Sequence, residues 1–415
     1  MRLTNSIVAR AGVGINRDPY PLAFMRDLVQ NFPDDTQSSI TSPNGSVASY
    51  TFEQGLPAVP PLNTTSGVVA LPNTYTINSL PSKPVRDYVE TWNLSLEKQW
   101  QNGLLAEARY VGSRQLQISS VFNTNAGTVG GGAASQPYNI LFGRTANTNL
   151  ITPIGRNQYD AFQAKVARQF RSGYSVNVGY TFSKTFAYCC DTTAGETVSI
   201  QAPGYINLNR ALAGFDRPYI LTISGTAQLP FGKDKRFLTS GIGAAIAGGW
   251  QLSGIYQSYS GTPFTISASG TSLNAPGSSQ QADRVKNGSC LNGGGKFTGT
   301  SYVDATCFAS VTTAHFGTAG FNSVRGPGVN VLNASLQRSI NIFERVQLQF
   351  KADAFNVTNT PHFANPSNTS ISNVTFNSDH TVANLNGFGA FSSVNSRDQE
   401  GVDQRYFRLG LRVEF

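Results

Sequence analysis

The chain has 415 residues, of which 13% are charged, about half the roughly 25% of an average soluble protein. Glycine is frequent with 41 residues, methionine (2) and histidine (3) are scarce, and aromatic residues reach 11%. This composition favours strands joined by polar loops. It excludes a coiled coil, which needs abundant Glu, Lys, Leu and Ala, and 40% hydrophobic residues exclude an intrinsically disordered chain.

The basic side chains are spread along the chain, although the formal net charge is +8. The densest basic run covers only Lys233 to Arg236 and is interrupted by Asp234. Nucleic-acid binding proteins concentrate Lys and Arg on one face or helix. We therefore expect no nucleic-acid partner.

Hydrophobic residues alternate with polar ones over long segments. Val346, Leu348 and Phe350, for example, are each followed by a polar residue. Because successive strand side chains point to opposite faces, such a segment has one apolar and one polar face. Ten segments show this pattern, and most are longer than an average strand: 2–15, 86–100, 104–118, 157–171, 173–185, 217–230, 248–266, 328–341, 343–357 and 405–415.

Short and long connections alternate along the whole series of predicted strands. The short ones are tight turns at 100–103, 171–173 and 341–342, with a longer joint at 230–249. Between them lie polar stretches rich in Gly, Ser, Thr and Asn, where we expect mobile loop tips, as at Gly130–Gly132: 16–85, 119–156, 186–216, 267–327 and 358–404. Transmembrane β-barrels have short periplasmic turns and long extracellular loops. The sequence therefore predicts an all-β, antiparallel transmembrane β-barrel portion of about ten long strands.

The C-terminus ends in an aromatic residue that is preceded by apolar residues at every second position. This pattern matches the signal by which outer-membrane proteins are recognised for assembly, and predicts the barrel-assembly machinery as a partner. An ordinary final strand that stops at phenylalanine is the alternative. The predicted signal residues are Phe407, Leu409, Leu411, Val413 and Phe415.

Five segments from about residue 86 onward, together with the terminal strand, resemble the barrel of Oar-like TonB-dependent receptors. They are YVETWNLSL at 88–96, ARYVGS at 108–113, GWQLSG at 249–254, SGTPF at 260–264 and FKADAFNVTN at 350–359. The resemblance implies residence in the outer membrane among its lipids, and energy-coupled uptake or surface binding of an extracellular ligand that the sequence does not identify.

Three parts of such receptors are not found in the sequence: a signal peptide, a TonB box and a plug domain. Residues 1–415 are therefore interpreted as a single barrel portion, the C-terminal part of a receptor. The expected partners include the N-terminal plug and the remaining barrel strands of a parent protein. The alternative is an outer-membrane adhesin or structural scaffold without energy coupling.

The cysteines are compatible with an exported protein. Cys290 and Cys307 fall in one long loop with sixteen residues between them, and we favour a disulfide over two free thiols. Cys189 and Cys190 are adjacent in another loop, and their pairing stays open. None of the four has the CxxC spacing of a zinc site.

Catalysis is not expected. The three histidines lie in predicted loops, and no HExxH, GxSxG or Walker motif occurs. We expect no cofactor, no metal and no catalytic residue. Six charged side chains are predicted on the polar face of the strands, either as a solute path or, more simply, as a solvated wall that pairs acids with bases: Glu107, Arg109, Lys165, Lys351, Asp353 and Arg408.

Overall fold

The computed structural model describes residues 1–17, 19, 22–35, 51, 53, 55, 61–73, 75–188, 196–295, 299–343, 346–394 and 403–415. Ten long strands form one antiparallel sheet in which each strand pairs with the strands before and after it in this series. They are β1 Ile7–Arg17, β2 Tyr88–Gln99, β3 Leu104–Asn123, β4 Thr148–Arg171, β5 Tyr174–Tyr188, β6 Tyr219–Gln228, β7 Trp250–Tyr259, β8 Val329–Phe343, β9 Val346–Phe355 and β10 Tyr406–Glu414.

All ten predicted strands are present, but several boundaries were wrong. Strand β1 begins at Ile7, because residues 1–3 fold back against it: the Ala9 amide donates to the Met1 carbonyl oxygen at 2.9 Å. Strand β7 ends at Tyr259, before a separate short strand at Pro263–Phe264.

The largest error concerns β3 and β4, which extend well beyond the predicted 104–118 and 157–171. Their hairpin continues to Asn123 and Thr148, and its register shifts between Leu116 and Ser120. Gln117 has a φ of 61°, in the left-handed region. A shift of one residue moves the following side chains to the opposite face. The simple alternation is therefore lost where the strands continue.

The two faces of the sheet are inverted relative to a soluble protein. Leu94 and Phe182 are more than half exposed, whereas the polar neighbours Ser95 and Ser183 are buried. Apolar residues on one face and polar residues on the other follow the predicted alternation through most of the sheet. This arrangement is the one expected when the outer surface meets lipid.

Five long loops connect the strands at one end of the sheet. We call them L1 (18–87), L2 (124–147), L3 (189–218), L4 (260–328) and L5 (356–405). The other end has short turns and one longer connection, residues 229–249. Along the chain, long and short connections alternate as the sequence predicts.

The loops and the longer connection carry short elements. The helices are α1 Leu22–Val29 in L1, α2 Pro137–Phe142 in L2 and α3 Gly241–Ala247 between β6 and β7, with 3-10 turns at Ala133–Ser135, Ile206–Asn209, Asn292–Gly295, Ala305–Cys307 and Ile371–Asn373. The short strands are Ile77–Ser79, Arg210–Leu212, Pro263–Phe264, Asp283–Arg284, Phe308–Ala309, Val324–Arg325, Thr375–Phe376 and Val382–Asn384.

Among the helices of the described residues, none has the length and apolar character needed to cross a lipid bilayer.

The sheet has two edges within the described residues. Strand β1 pairs with β2 only, and β10 pairs with β9 only. Val13 on the first edge is 90% exposed, and Phe407, Leu409 and Leu411 on the last edge are all more than half exposed. Apolar side chains thus continue up to both edges.

Candidate binding surface formed by the long loops

The two largest hydrophobic clusters of the described residues lie in the loops. The larger cluster combines buried residues of L4 and L5, including Ile266, Phe308, Ile371 and Phe388. A second cluster joins L3 and L4 through Ile200, Ala202, Leu273, Ala275 and Phe316. Since L4 contributes to both clusters, it is the central element of a folded loop layer, which consists of the described residues of L1 to L5.

Backbone hydrogen bonds also connect the loops. Gly130 and Gly132 of L2 donate to the carbonyl oxygens of Leu273 and Asn274 in L4, each at 2.8 Å. The sequence predicts a mobile tip at Gly130–Gly132, whereas in the structure these hydrogen bonds attach the segment to L4. L5 is joined in the same way, since the Ile371 amide donates to the Ser267 carbonyl oxygen at 2.9 Å.

L1 and L2 meet at a second junction. The Asn73 side-chain amide donates to Thr145 Oγ1 at 3.1 Å, and the Arg144 guanidinium donates to the Pro72 and Tyr75 carbonyl oxygens. Burial lowers the pKa of Arg144 from its usual value. Helix α1 is attached below this junction, where Phe24 packs with Val121 and Ile151.

An ion pair connects L3 and L4 to the end of β5. Arg325 Nη2 donates to Asp216 Oδ2 at 2.7 Å, and Arg325 Nη1 donates to the carbonyl oxygens of Asp216 and Gly261, each at 2.9 Å. The other carboxylate oxygen of Asp216 accepts the Thr185 amide at 2.7 Å. The Asp216 side chain has no exposed surface. Its charge is therefore satisfied entirely by protein groups.

The disulfide joins Cys290 and Cys307, with Cα atoms 5.8 Å apart. Both cysteines are buried in the larger loop core, beside Tyr302. Burial raises the pKa of Tyr302 to about 12, and its hydroxyl donates to the Arg325 carbonyl oxygen at 3.2 Å. Cys189 and Cys190 lie outside the described residues, so their pairing stays open.

His362 attaches L5 to the sheet. Its Nε2 donates to the Asn330 carbonyl oxygen at 2.9 Å, and its Nδ1 lies 2.7 Å from Asp403 Oδ1. The ring is almost completely buried. Asn330 is near the start of β8 and Asp403 precedes β10, so this single side chain holds both ends of L5 close to the rim of the sheet.

Helix α2 of the loop layer exposes apolar side chains. Ile140, Leu141 and Phe142 of α2 are each about two-thirds or more exposed, and Phe142 reaches 76%. Val68 and Leu71 of L1, also exposed, precede the residues that bind L2. A rigid support that presents exposed apolar groups is suited to contact with an external molecule.

The polar face of the sheet pairs most of its charges. Arg109 and Glu107 lie 2.6 Å apart, and Lys351 and Asp353 lie 3.2 Å apart. A groove of about 810 Å³ crosses strands β4 to β10 on this face and is lined by residues that include Lys351, Asp353 and Arg408. The paired charges agree with a solvated wall, the simpler of the two interpretations made from the sequence.

The five residues of the predicted assembly signal share one face of the terminal strand. Phe407, Leu409, Leu411 and Val413 alternate along β10, opposite Ala354, Ala352, Phe350 and Leu348 of β9. Phe415 follows the strand and is 98% exposed. The recognition role of these residues stays a prediction.

The described residues contain no group of three or more His, Cys, Asp or Glu side chains placed to hold a metal ion. His315 contacts Asp283, His362 contacts Asp403, and His380 stacks on Phe376.

The residues that organise the loop layer carry little recognisable signal in the sequence. Asp216, Arg325 and His362 stand in loops without a motif around them. Their partners are distant in the chain: the residue numbers of Asp216 and Arg325, for example, differ by 109. For His362, the one signal in the sequence is that histidine is scarce in this chain.

A family model matches most of this chain. Residues 1–405 match a family model described as "Outer membrane beta barrel domain". A search of curated proteins finds no match.

Similar solved structures include the outer membrane transporter YddB from Escherichia coli (9% identity, TM-score 0.38) and the ferric-catecholate import receptor Fiu from E. coli K12 (9% identity, TM-score 0.39). The copper transporter OprC is another, with 8% identity and a TM-score of 0.35. These matches cover 82%, 100% and 100% of this chain, but 34%, 33% and 37% of the respective structures. The chain thus spans about a third of their length.

Proposed function

This chain belongs to the family of outer membrane beta barrel domains, and from this membership we propose a receptor function for it. The chain lies in the outer membrane. The proposed role is that of the C-terminal part of the barrel of an Oar-like TonB-dependent receptor, which takes up or binds an extracellular ligand. The ligand is not specified by this proposal.

The folded loop layer is the observation that carries the proposal. Two hydrophobic clusters, a disulfide and a buried ion pair hold described residues of L3, L4 and L5 together at one end of the sheet. Loops that only closed the sheet would need none of this order. A pre-formed surface lowers the entropic cost of binding a ligand.

The two sheet edges support a larger parent barrel. In hydrocarbon, an unpaired backbone N–H or C=O group is costly, so an open edge must pair with another strand. Within the described residues β1 and β10 each pair on one side only. If β1 and β10 paired with each other, the sheet would close into a narrow ten-stranded barrel with a lumen largely filled by side chains. Additional strands of a parent protein are the alternative that leaves room for a plug.

Cysteine cross-linking distinguishes these two arrangements. Val13 and Leu409 lie on opposite edges of the sheet and are both exposed on its apolar face. In the parent protein, we expect no disulfide between Val13→Cys and Leu409→Cys, whichever neighbouring positions are tried. Efficient cross-linking, together with solute passage through liposomes that contain the 415-residue chain alone, would contradict the proposal.

Energy coupling is tested separately. We expect uptake by cells that express the parent protein to stop when a protonophore removes the proton gradient, with ligand binding unchanged. A second candidate, an adhesin or scaffold without energy coupling, is favoured by the exposed apolar side chains of α2. For that function, binding would be the complete activity, and the protonophore would have no effect.

A further inference from the structure

The connection between β6 and β7 has no role in the function proposed above. Residues 229–249 lie at the end of the sheet opposite the loop layer and contain both helix α3 and the densest basic run of the sequence. The other connections at this end, 100–103, 172–173 and 344–345, are much shorter. An insertion of this size with this composition therefore requires its own explanation.

Helix α3 lies against the apolar, lipid-facing side of the sheet. Arg338 Nη1 and Trp250 Nε1 both donate to the Ile246 carbonyl oxygen, at 2.8 and 2.9 Å, and Arg338 Nη2 donates to the Ala245 carbonyl oxygen. Trp250 and Arg338 are opposite each other on β7 and β8, and Trp250 packs edge-on against Phe350 with ring centroids 5.9 Å apart.

Trp250 and Arg338 supply hydrogen-bond donors to the C-terminal end of α3, which needs them where water is scarce. The last carbonyl groups of a helix lack partners within the helix. Water satisfies them at an ordinary surface, but near hydrocarbon other groups must do so. In α3, a guanidinium and an indole of the lipid-facing sheet donate to two of these carbonyl oxygens. The C-terminal end of α3 is therefore compatible with a site that contains little water.

The connection also exposes large apolar side chains. Ile242 is 79% exposed and Ile246 is 66% exposed, and Phe237 and Leu238 just before the helix are about half exposed. The helix itself, GIGAAIA, has no charged residue. Within the membrane interface these side chains would be buried among acyl chains.

A close backbone contact fixes the base of the connection. Gly232 has a φ of +106°, and a Cβ atom added there would lie 2.6 Å from the Gly248 Cα atom. The Gly232 amide donates to the Phe237 carbonyl oxygen at 3.0 Å. The basic run and the helix are therefore held together as one unit.

The cations of this unit are placed close to the strand ends. Lys233, Lys235 and Arg236 are all exposed. Lys235 Nζ donates to Gln228 Oε1 at the end of β6, at 2.8 Å, and the Arg236 guanidinium lies 5.3 Å from the centroid of the Phe237 ring. Basic side chains next to apolar side chains that can insert among lipids are typical of a protein segment that binds an anionic membrane surface.

We propose that residues 231–247 form a membrane-interface anchor that binds anionic phospholipids of the periplasmic leaflet. The apolar side chains of α3 enter the acyl-chain region, and Lys233, Lys235 and Arg236 contact the headgroup phosphates. This inference depends on the outer-membrane location of the chain and is independent of energy coupling or of any extracellular ligand.

The position of the anchor is tested by photo-cross-linking the full chain in lipid nanodiscs that contain phosphatidylcholine and phosphatidylglycerol. Ile242 is replaced by p-benzoylphenylalanine, and Ile140 serves as the matched control because it is also an isoleucine that is largely exposed on a short helix, in the loop layer. We expect lipid adducts from position 242 and none from position 140. An absence of lipid adducts at 242 would overturn the proposal.

Lipid charge is tested with the triple variant K233Q/K235Q/R236Q, and K83Q/R86Q in L1 is the control. One basic residue near an anionic surface contributes roughly fivefold to binding. We expect the triple variant to lower the yield of phosphatidylglycerol adducts at position 242 by at least about fivefold, with little change in phosphatidylcholine adducts. Equal yields from both lipids in the wild-type chain would show that the anchor does not select anionic headgroups.

Discussion

Arg325 and Asp216 form an ion pair of 2.7 Å in which the carboxylate is completely buried and the guanidinium is about a quarter exposed. The pair connects L4 to L3, and through the Thr185 amide to the end of β5. Removing only the cation would leave a negative charge buried without its partner. Such a loss commonly costs about 3–5 kcal/mol.

We therefore expect Arg325→Ala to open the loop layer while the sheet stays in the membrane. Limited trypsin digestion of intact cells measures this, because cleavage follows the population of the opened state when opening is fast. Arg86→Ala, an exposed residue of L1, is the control and should change the free energy of opening by less than about 0.5 kcal/mol. Similar cleavage rates for both variants would refute the assigned role of the pair.

The disulfide should stabilise L4 more than the layer as a whole. It closes a segment with a sequence separation of 17, for which the chain-entropy relation gives about 3 kcal/mol. We expect Cys290→Ser/Cys307→Ser to accelerate hydrogen exchange in residues 283–309. Exchange in the β9–β10 hairpin serves as the internal reference. Unchanged exchange in L4 would indicate that the buried cluster suffices without the bond.

Tyr302 should make the loop layer sensitive to alkaline pH. Its pKa rises from 10.0 to about 12 because the neutral phenol is buried. Because the pKa is higher in the folded state, Tyr302 contributes to the free energy of unfolding in full below pH 10, and this contribution is lost as the pH rises through 12. A pKa difference of two units corresponds to about 3 kcal/mol in the free energy of unfolding.

Absorbance at the phenolate band should show Tyr302 ionising near pH 12, and the loop layer should lose protease resistance over the same interval. Tyr302→Phe has no ionisable hydroxyl, so its protease resistance should decline less between pH 10 and 12. Ionisation of Tyr302 near pH 10 in the folded protein would contradict this prediction.

The terminal residue is tested through assembly. If Phe415 belongs to the predicted signal, its deletion should lower the amount of parent protein inserted into the outer membrane far more than deletion of Ser66, an exposed residue of L1. Outer-membrane levels are measured by fractionation and by heat-modifiable migration in gels. Equal levels for the two deletions would assign Phe415 to an ordinary strand end.

The sheet could be predicted from the sequence because its lipid-facing surface imposes a strict alternation. Strand β9, with Leu348 and Phe350 on one face and Lys351 and Asp353 on the other, shows the pattern clearly. The prediction failed where register shifts interrupt the pattern, as beyond Leu116 in β3. There the strands continue without a constant face.

The loop layer could not be predicted in the same way. Its order comes from contacts between distant parts of the chain, such as Asp216 with Arg325 and His362 with Asp403. Glycine, serine and asparagine also dominate flexible loops, so composition alone suggested mobility at Gly130–Gly132. Hydrogen bonds to L4 give this segment a fixed position instead.

The shared position of L4 in both loop clusters constrains how the sequence of the loop layer can diversify. A change at Leu273 or Phe308 would disturb packing contributed by a second loop, so compensating changes would have to arise there as well. Ile140, Leu141 and Phe142 are largely exposed and belong to neither cluster. Sequence change is therefore most accessible on α2, where a substitution alters the exposed surface without altering the framework that supports it.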